Sequence, residues 1–443
     1  MKNLILFALL SLSPQCHAQI ITTVAGDSTQ GYNGDNILAT TTELNEPSGV
    51  AVDVAGNIYI ADRNNNRIRK VSASSGLITT IAGTGTAGFS GDSGLAVLAE
   101  INYPYGIALD TLGNIYFSDG RNYRIRKIDT SGVITTIAGN GTFGYNGDSI
   151  AATSAGLDPS GLTIDKYSNI YVADFNNDRI RKINASGIIT TIAGTGMQGY
   201  NGDGIIATTA QLFMPNGVAV DNTGNIYIAD YNNSRIRKVN SAGIITTIAG
   251  TGTRGYNGDN ISADSAEINW PLGITIDGSG NVYIGDTYNY RIRKVNTSGI
   301  ITTIAGNGFG GYSGDNGLAT LAELADPVGV AIDNSGAVYI ADLANSRIRR
   351  IGWPGSVNKL SASVQNLTVY PNPSSGLFTV SISSNVQAHI QVTITNALGQ
   401  KVNEATIFTN TPSIIQLDQP NGVYFISAVS PDGIMNKIIN IIK

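Results

Sequence analysis

The feature that most limits what this chain can become is one unit repeated six times. The segment Tyr-Asn-Gly-Asp, or a close variant, ends at Asp35, Asp92, Asp148, Asp203, Asp259 and Asp315, at spacings of 57, 56, 55, 56 and 56 residues. Each copy runs on to a proline (Pro47, Pro104, Pro159, Pro215, Pro271, Pro327) and then through four short apolar runs. In the first copy these are residues 49–53, 57–62, 67–71 and 78–83. Each run is β-branched or aromatic and bounded by Gly, Asn, Asp or Ser, the pattern of a strand between turns. The 53 glycines among 443 residues suit many tight turns, because glycine adopts positive φ without steric cost.

One unit of four strands cannot bury both faces of its sheet. Six such units arranged radially can, which predicts an all-β, six-bladed β-propeller over residues 20–355. The chain ends also predict how the ring closes. Residues 21–26 read as a fourth strand with no three before it, and the last copy stops after its third strand at Ile351. The N-terminal strand is therefore expected to complete the last blade.

The repeated residues resemble NHL repeats, in a longer variety with a GY(N/S)GD…A…A…L…P insertion in every unit. The Gly-His and Trp-Asp marks of WD-type blades are absent. The resemblance implies a six-bladed propeller from a family used mostly for binding proteins, RNA or glycans, with a few lactonases and lyases in the wider group. In the insertion, small residues follow the Asp at four and seven positions and Leu or Ile at nine, as in Asp259, Ala263, Ala266 and Ile268. That spacing predicts a short helix, capped by the Asp, with its small face on the blade. A calcium loop is the alternative, although one carboxylate per loop falls short of six or more oxygens.

The repeat also accounts for most of the charge. Third-strand triplets such as Arg67, Arg69 and Lys70 supply 18 of the 27 basic residues, and Asp35, Asp53, Asp62 and their equivalents supply 18 of the 32 acidic ones. Residues present in every copy are expected to serve the scaffold, Asp62 pairing with Arg67 or Arg69 or satisfying turn N–H groups. Matched acids and a net charge of −5 argue against a nucleic-acid surface.

Specialised chemistry should lie where the copies differ. The propeller has no histidine and no cysteine, which excludes Ser-His-Asp and Cys-His nucleophiles and His- or Cys-built zinc sites. The innermost strands add only Thr163 and Thr275 as polar residues, whereas a metal in the channel would need carboxylates there. No catalytic residue and no cofactor is assigned. Carboxylates do vary before the repeat proline, as Glu46, Asp158 and Asp326. The first and last blades are neighbours, so Glu46 and Asp326 are candidates to share calcium or to act as paired acids on a sugar. Independent solvated loop acids are the other reading.

The aromatic residues break the symmetry more informatively. Tyr103, Tyr105, Tyr123, Phe175, Tyr231, Trp270, Tyr288 and Tyr290, joined by Met214, fall before the first strand or between the second and third. Both loop classes open on one face of a propeller. Rings there suit stacking on sugars or anchoring a protein, or else packing among the insertions. The expected function is a recognition scaffold for a glycan or protein. The alternative is a hydrolase or lyase of the lactonase or glycan-cleaving type with a carboxylate or calcium site at the channel mouth.

The two ends carry addresses. Lys2, the apolar stretch from Leu4 to Leu12 and Ala18 predict a signal peptide over residues 1–18, cleaved before Gln19; Cys16 as a lipidation site is the alternative. No run is long enough for a transmembrane helix. After a linker at 356–366, the motifs Leu367-Thr-Val-Tyr-Pro-Asn-Pro, Gly376, Leu398-Gly399, Gly422-Val-Tyr-Phe and a Lys-ended last strand resemble the type A sorting domain of type IX secretion. Over residues 367–443 this implies a small Ig-like sandwich and a translocon partner. The route is export to the periplasm and then to the outer surface or medium.

Overall fold

The computed structural model describes residues 19–352, 366–383, 389–396, 400–430 and 433–443. The signal-peptide segment and most of the linker lie outside these residues. The chain divides into two compact units, one of residues 1–72 and 77–357 and the other mainly of residues 358–443.

The first unit is built from six antiparallel sheets, each with the strand order fourth-third-second-first. In the third copy these strands are Pro159–Ile164, Ile170–Asp174, Arg179–Ile183 and Ile188–Ala193. Second strands such as Ile170–Asp174 are buried along their whole length, which is why they read as unbroken apolar runs rather than alternating ones. The six cores lie between neighbouring sheets: Tyr171, Ala173 and Ile180 of one blade pack with Val218, Ile226 and Ile228 of the next.

The ring closes through the N-terminal strand. Ile20–Ala25 pairs antiparallel with Arg347–Gly352, with Ile21 opposite Ile351. Ile21 is fully buried among Ile340, Ile351 and Leu324. First strands also interlock around the axis through glycine. A Cβ on Gly106 would lie 2.6 Å from the Ser160 carbonyl oxygen, one on Gly161 2.5 Å from that of Asn216, and one on Gly329 2.5 Å from that of Ser48. Contacts this short exclude any side chain, so a glycine recurs at this point of each first strand. The last of them joins the sixth blade to the first.

The insertion departs from its expected form. It makes a single 3-10 turn, Ala39–Thr41 in the first copy, with no side-chain cap. Asp35 instead accepts hydrogen bonds from the Arg69 guanidinium at 3.2 Å and the Thr80 hydroxyl at 3.0 Å. A fully buried arginine demands acceptors more strongly than a three-residue turn demands a cap. The small residues do pack as expected, with Ala39, Thr42 and Leu44 buried.

Arg69 also reaches Asp62 at 3.4 Å, and both side chains are completely buried. Asp62 further accepts the Asn45 backbone N–H. Arg67 pairs with no acid and donates to the carbonyls of Asn65 and Thr84. The insertion tyrosine covers both cations, with Tyr32 at 3.7 Å from Arg67 and 4.8 Å from Arg69. Five further copies repeat this arrangement, from Arg126–Asp119 to Arg349–Asp342, with Phe89 in place of the tyrosine in the second.

The second unit is a three-stranded and a four-stranded antiparallel sheet around one apolar core. Phe378, Val380 and Ile382 alternate inward from one sheet, and Ile390, Val392 and Ile394 from the other.

Candidate functional site

The loop before each first strand and the loop between second and third strands open on the same face, because Pro47 pairs with Asp62 at that end of the ladder. Five of the six residues before the repeat proline have left-handed backbone: Glu46, Tyr103, Met214, Trp270 and Asp326, with φ between 50° and 60°. Bulky residues avoid this conformation, which costs on the order of 1 kcal/mol or more. Asparagine or glycine would fit it with less strain. The backbone shape is thus kept at five positions while large, varied side chains occupy it.

Four rings form a continuous row across three blades. Phe175 lies 6.1 Å from Tyr231, Tyr231 stacks on Trp270 at 5.4 Å, and Trp270 meets Tyr288 edge-on at 4.4 Å. Arg254 covers Trp270 at 4.5 Å, and the indole is half-buried with its N–H turned inward. Tyr288 is the open end of the row, with 44% of its surface exposed.

Beside the row lies a depression of about 650 Å³. Tyr103, held between Arg63 at 4.6 Å and Arg121 at 4.2 Å, forms one wall. Phe175, Tyr231 and Asp158 also line it. Tyr105 lies at its floor, inside the first strand Pro104–Leu109 rather than in the preceding loop. Burial pushes the Tyr105 hydroxyl up to about 12, against the pull of Arg63 and a hydrogen bond with Asn216. Tyr123 and Tyr290 sit after the second strand with left-handed backbone, and both pack on the insertions: Tyr123 on Phe143 at 6.0 Å, Tyr290 over Gly310. The aromatic set thus divides into packed and open members.

The varied carboxylates have separate settings. Glu46 is ion-paired with Arg63, and Asp158 accepts from the Asn176 amide at 2.6 Å. Asp326 is raised above the ordinary carboxylate range by burial and by the nearby charge of Glu46. Among the described residues, no group of three or more His, Cys, Asp or Glu could hold a metal ion. The first strands line two smaller cavities of about 70 and 220 Å³, where side chains such as Val50, Ile107 and Val330 stand beside Asn216, Thr163 and Thr275.

Arg254, Phe143, Arg63, Arg121, Asn176 and Asn216 were not singled out by the sequence. Arg254 and Phe143 occupy one repeat position, before the Gly of the insertion, filled by Gln30, Ala87, Phe143, Gln198, Arg254 and Gly310 in turn. Comparing copies at that position is the signal that finds them.

Comparison with known proteins follows the same division. The profile described as Teneurin NHL domain matches residues 84–146, 195–257 and 252–311, and the NHL repeat profile matches 44–71 and 324–351. The profile Secretion system C-terminal sorting domain matches residues 368–442. Protein SUPPRESSOR OF QUENCHING 1 of Arabidopsis thaliana is 28% identical over 70% of this chain and 30% of its own length. Teneurin-1 of Gallus gallus is 30% identical over 56% of this chain and 10% of its own. The chain therefore spans less than a third of these relatives. Two solved structures from Bacteroides thetaiotaomicron share the fold: a structural genomics protein of unknown function and an auxiliary nutrient binding protein. The first aligns at TM-score 0.58 and 20% identity over 76% of each chain. The second aligns at 0.56 and 15%, over 76% of this chain and 77% of its own.

Proposed function

Because the chain is an NHL-repeat propeller that ends in a secretion-system C-terminal sorting domain, placing it outside the cell or on its outer surface, we propose that it is a recognition scaffold. Its ligand is a glycan or a protein partner, held on the aromatic face. The sorting domain implies the type IX secretion machinery as the partner of the C-terminal unit. The observation that carries the reading is the row from Phe175 to Tyr288: its Phe175 and Tyr231 line a depression large enough for several sugar or side-chain groups, and its far end, Tyr288, is an exposed ring. Such rings give large contact area at little cost in side-chain entropy. A fold-mate described as an auxiliary nutrient binding protein agrees with binding as a use of this architecture.

The full chain, probed on glycan and protein arrays beside Tyr231→Ala, tests the proposal. Spots bound by the wild type and lost in the variant support it; unchanged spots overturn it.

One observation favours a second reading, acid/base chemistry at the channel mouth. Asp326 has a raised affinity for its proton and lies within electrostatic reach of Glu46. In a carboxylate pair, one member kept protonated can act as the acid. Under this reading Asp326→Asn abolishes turnover of a lactone or glycan and leaves binding intact. Under the recognition reading no turnover exists to lose.

A further inference from the structure

Outside the repeated third-strand triplets, residues 19–352 carry four basic residues: Arg63, Arg121, Lys166 and Arg254. All three arginines stand on the aromatic face, each over one of its rings. Stacking on a ring fixes the plane of a guanidinium while leaving its N–H fork free at the edges, ready for a two-pronged contact with an anion.

Their charges are compensated unequally. Glu46 neutralises Arg63. Arg121 and Arg254 are exposed and join no ion pair among the described residues. Arg254 reaches only the Asn232 side-chain oxygen, at 3.5 Å. The six fully buried arginines at the middle of the triplets, by contrast, each hold two carboxylates, as Arg237 holds Asp203 and Asp230. A chain of net charge −5 therefore presents two uncompensated guanidinium groups on this one face.

Resting on the recognition reading above, we propose that the ligand is an acidic oligosaccharide. Its sugar rings stack along Tyr231 and Tyr288, and its carboxylate or sulfate groups are held by Arg121 and Arg254. The arginines belong to different blades, which calls for several linked sugars rather than one. Arginine in both places fits the paired oxygens of carboxylate and sulfate better than lysine would.

The test titrates the full chain with an oligogalacturonate, a chondroitin sulfate oligosaccharide, a neutral malto-oligosaccharide of equal length and an oligoglutamate. The same titrations use Arg121→Gln, Arg254→Gln and the two Arg→Lys variants. One or both acidic sugars are expected to bind at least about ten-fold more tightly than the neutral one, with affinity falling as salt rises. Each Gln variant should weaken acidic-sugar binding about ten-fold at unchanged Tm, with the Lys variants between. The two acidic sugars distinguish carboxylate from sulfate. Equal binding of neutral and acidic sugars, unaffected by the Gln variants, overturns the acidic inference and leaves the recognition reading standing. Oligoglutamate binding as tightly as the sugars overturns the saccharide part. A chain that binds no sugar, and whose array binding is untouched by Tyr231→Ala, overturns the recognition reading itself.

Discussion

The two faces of the propeller are made from the same chain by opposite rules. On the face away from the rings, the turn between first and second strands has one solution. Asp53 accepts from the N–H groups of Ala55 and Asn57, the Asn57 amide and the Tyr59 hydroxyl. Asp110, Asp165, Asp221 and Asp277 repeat that set. Even where Ala337 replaces the asparagine, Asp333 keeps its backbone and Tyr339 bonds. On the ring-bearing face five of the six residues before the repeat proline share one left-handed backbone shape, but the side chains at that position run from Glu46 through Tyr103 and Met214 to Trp270. Where a residue is constant it satisfies the chain's own polar groups; where only the backbone is constant, the side chain is free to serve a ligand.

If that division is right, the largest losses follow from damage to the constant part. Deleting the closing strand Ile20–Ala25 removes buried Ile21, Val24 and Ala25 and opens the edge of Arg347–Gly352. About 5 kcal/mol of stability should go with it, read as a fall in denaturant midpoint, together with a tendency to associate. Next comes Arg181→Ala, which leaves Asp174 fully buried without its cation. About 3–5 kcal/mol should be lost, with ligand binding unchanged in whatever fraction still folds.

Trp270→Ala sharpens the comparison, because the indole belongs to both parts. It packs against Tyr231, Tyr288 and Arg254, so its loss should cost about 2 kcal/mol of stability and weaken binding as well.

The smallest effects separate the faces by pH. Burial would raise Asp221, but bonds from Asn225 and Thr223 outweigh it and hold the carboxyl at about 2. Its folded-state pKa is depressed, so its contribution is present above the ordinary carboxylate range and is lost as pH falls towards 2. Asp326 has the opposite sign. Its folded-state pKa is raised, so the charged form costs stability as pH rises through the ordinary range and above. Asp221→Ala should therefore lower Tm at pH 7, by about 1 kcal/mol of stability, and less in acid. Asp326→Asn should raise Tm slightly at pH 7 and not in acid. Melting curves at both pH values check the pair.

Much of the scaffold was legible because repetition multiplies weak signals. One run such as Arg-Ile-Arg-Lys is ambiguous; six at fixed spacing are a strand, and the unmatched runs at the two ends reveal how the ring closes. What could not be read was the partner choice of like residues. Arg67 and Arg69 look equivalent in sequence and share one strand face under Tyr32, yet Arg67 at the strand end donates to backbone carbonyls while Arg69, two residues further in, is buried between Asp62 and Asp35. The same burial withdrew Asp35 from the cap that its position suggested. In the candidate site, the shared face of the rings followed from topology. Whether a ring is open or enclosed did not, because it depends on neighbours distant in the chain, as Arg254 over Trp270 and Gly310 under Tyr290.

The central claim is that the varied face recognises while the repeated part only supports. Tyr288→Ala tests it most directly, since that ring is exposed and ends the row. Its affinity for the ligand identified on the arrays, measured by titration calorimetry beside the wild type at matched Tm, is expected to fall by about 1–3 kcal/mol. An unchanged affinity in a variant that melts several degrees lower would contradict the claim, and would make Tyr288 one more piece of the scaffold.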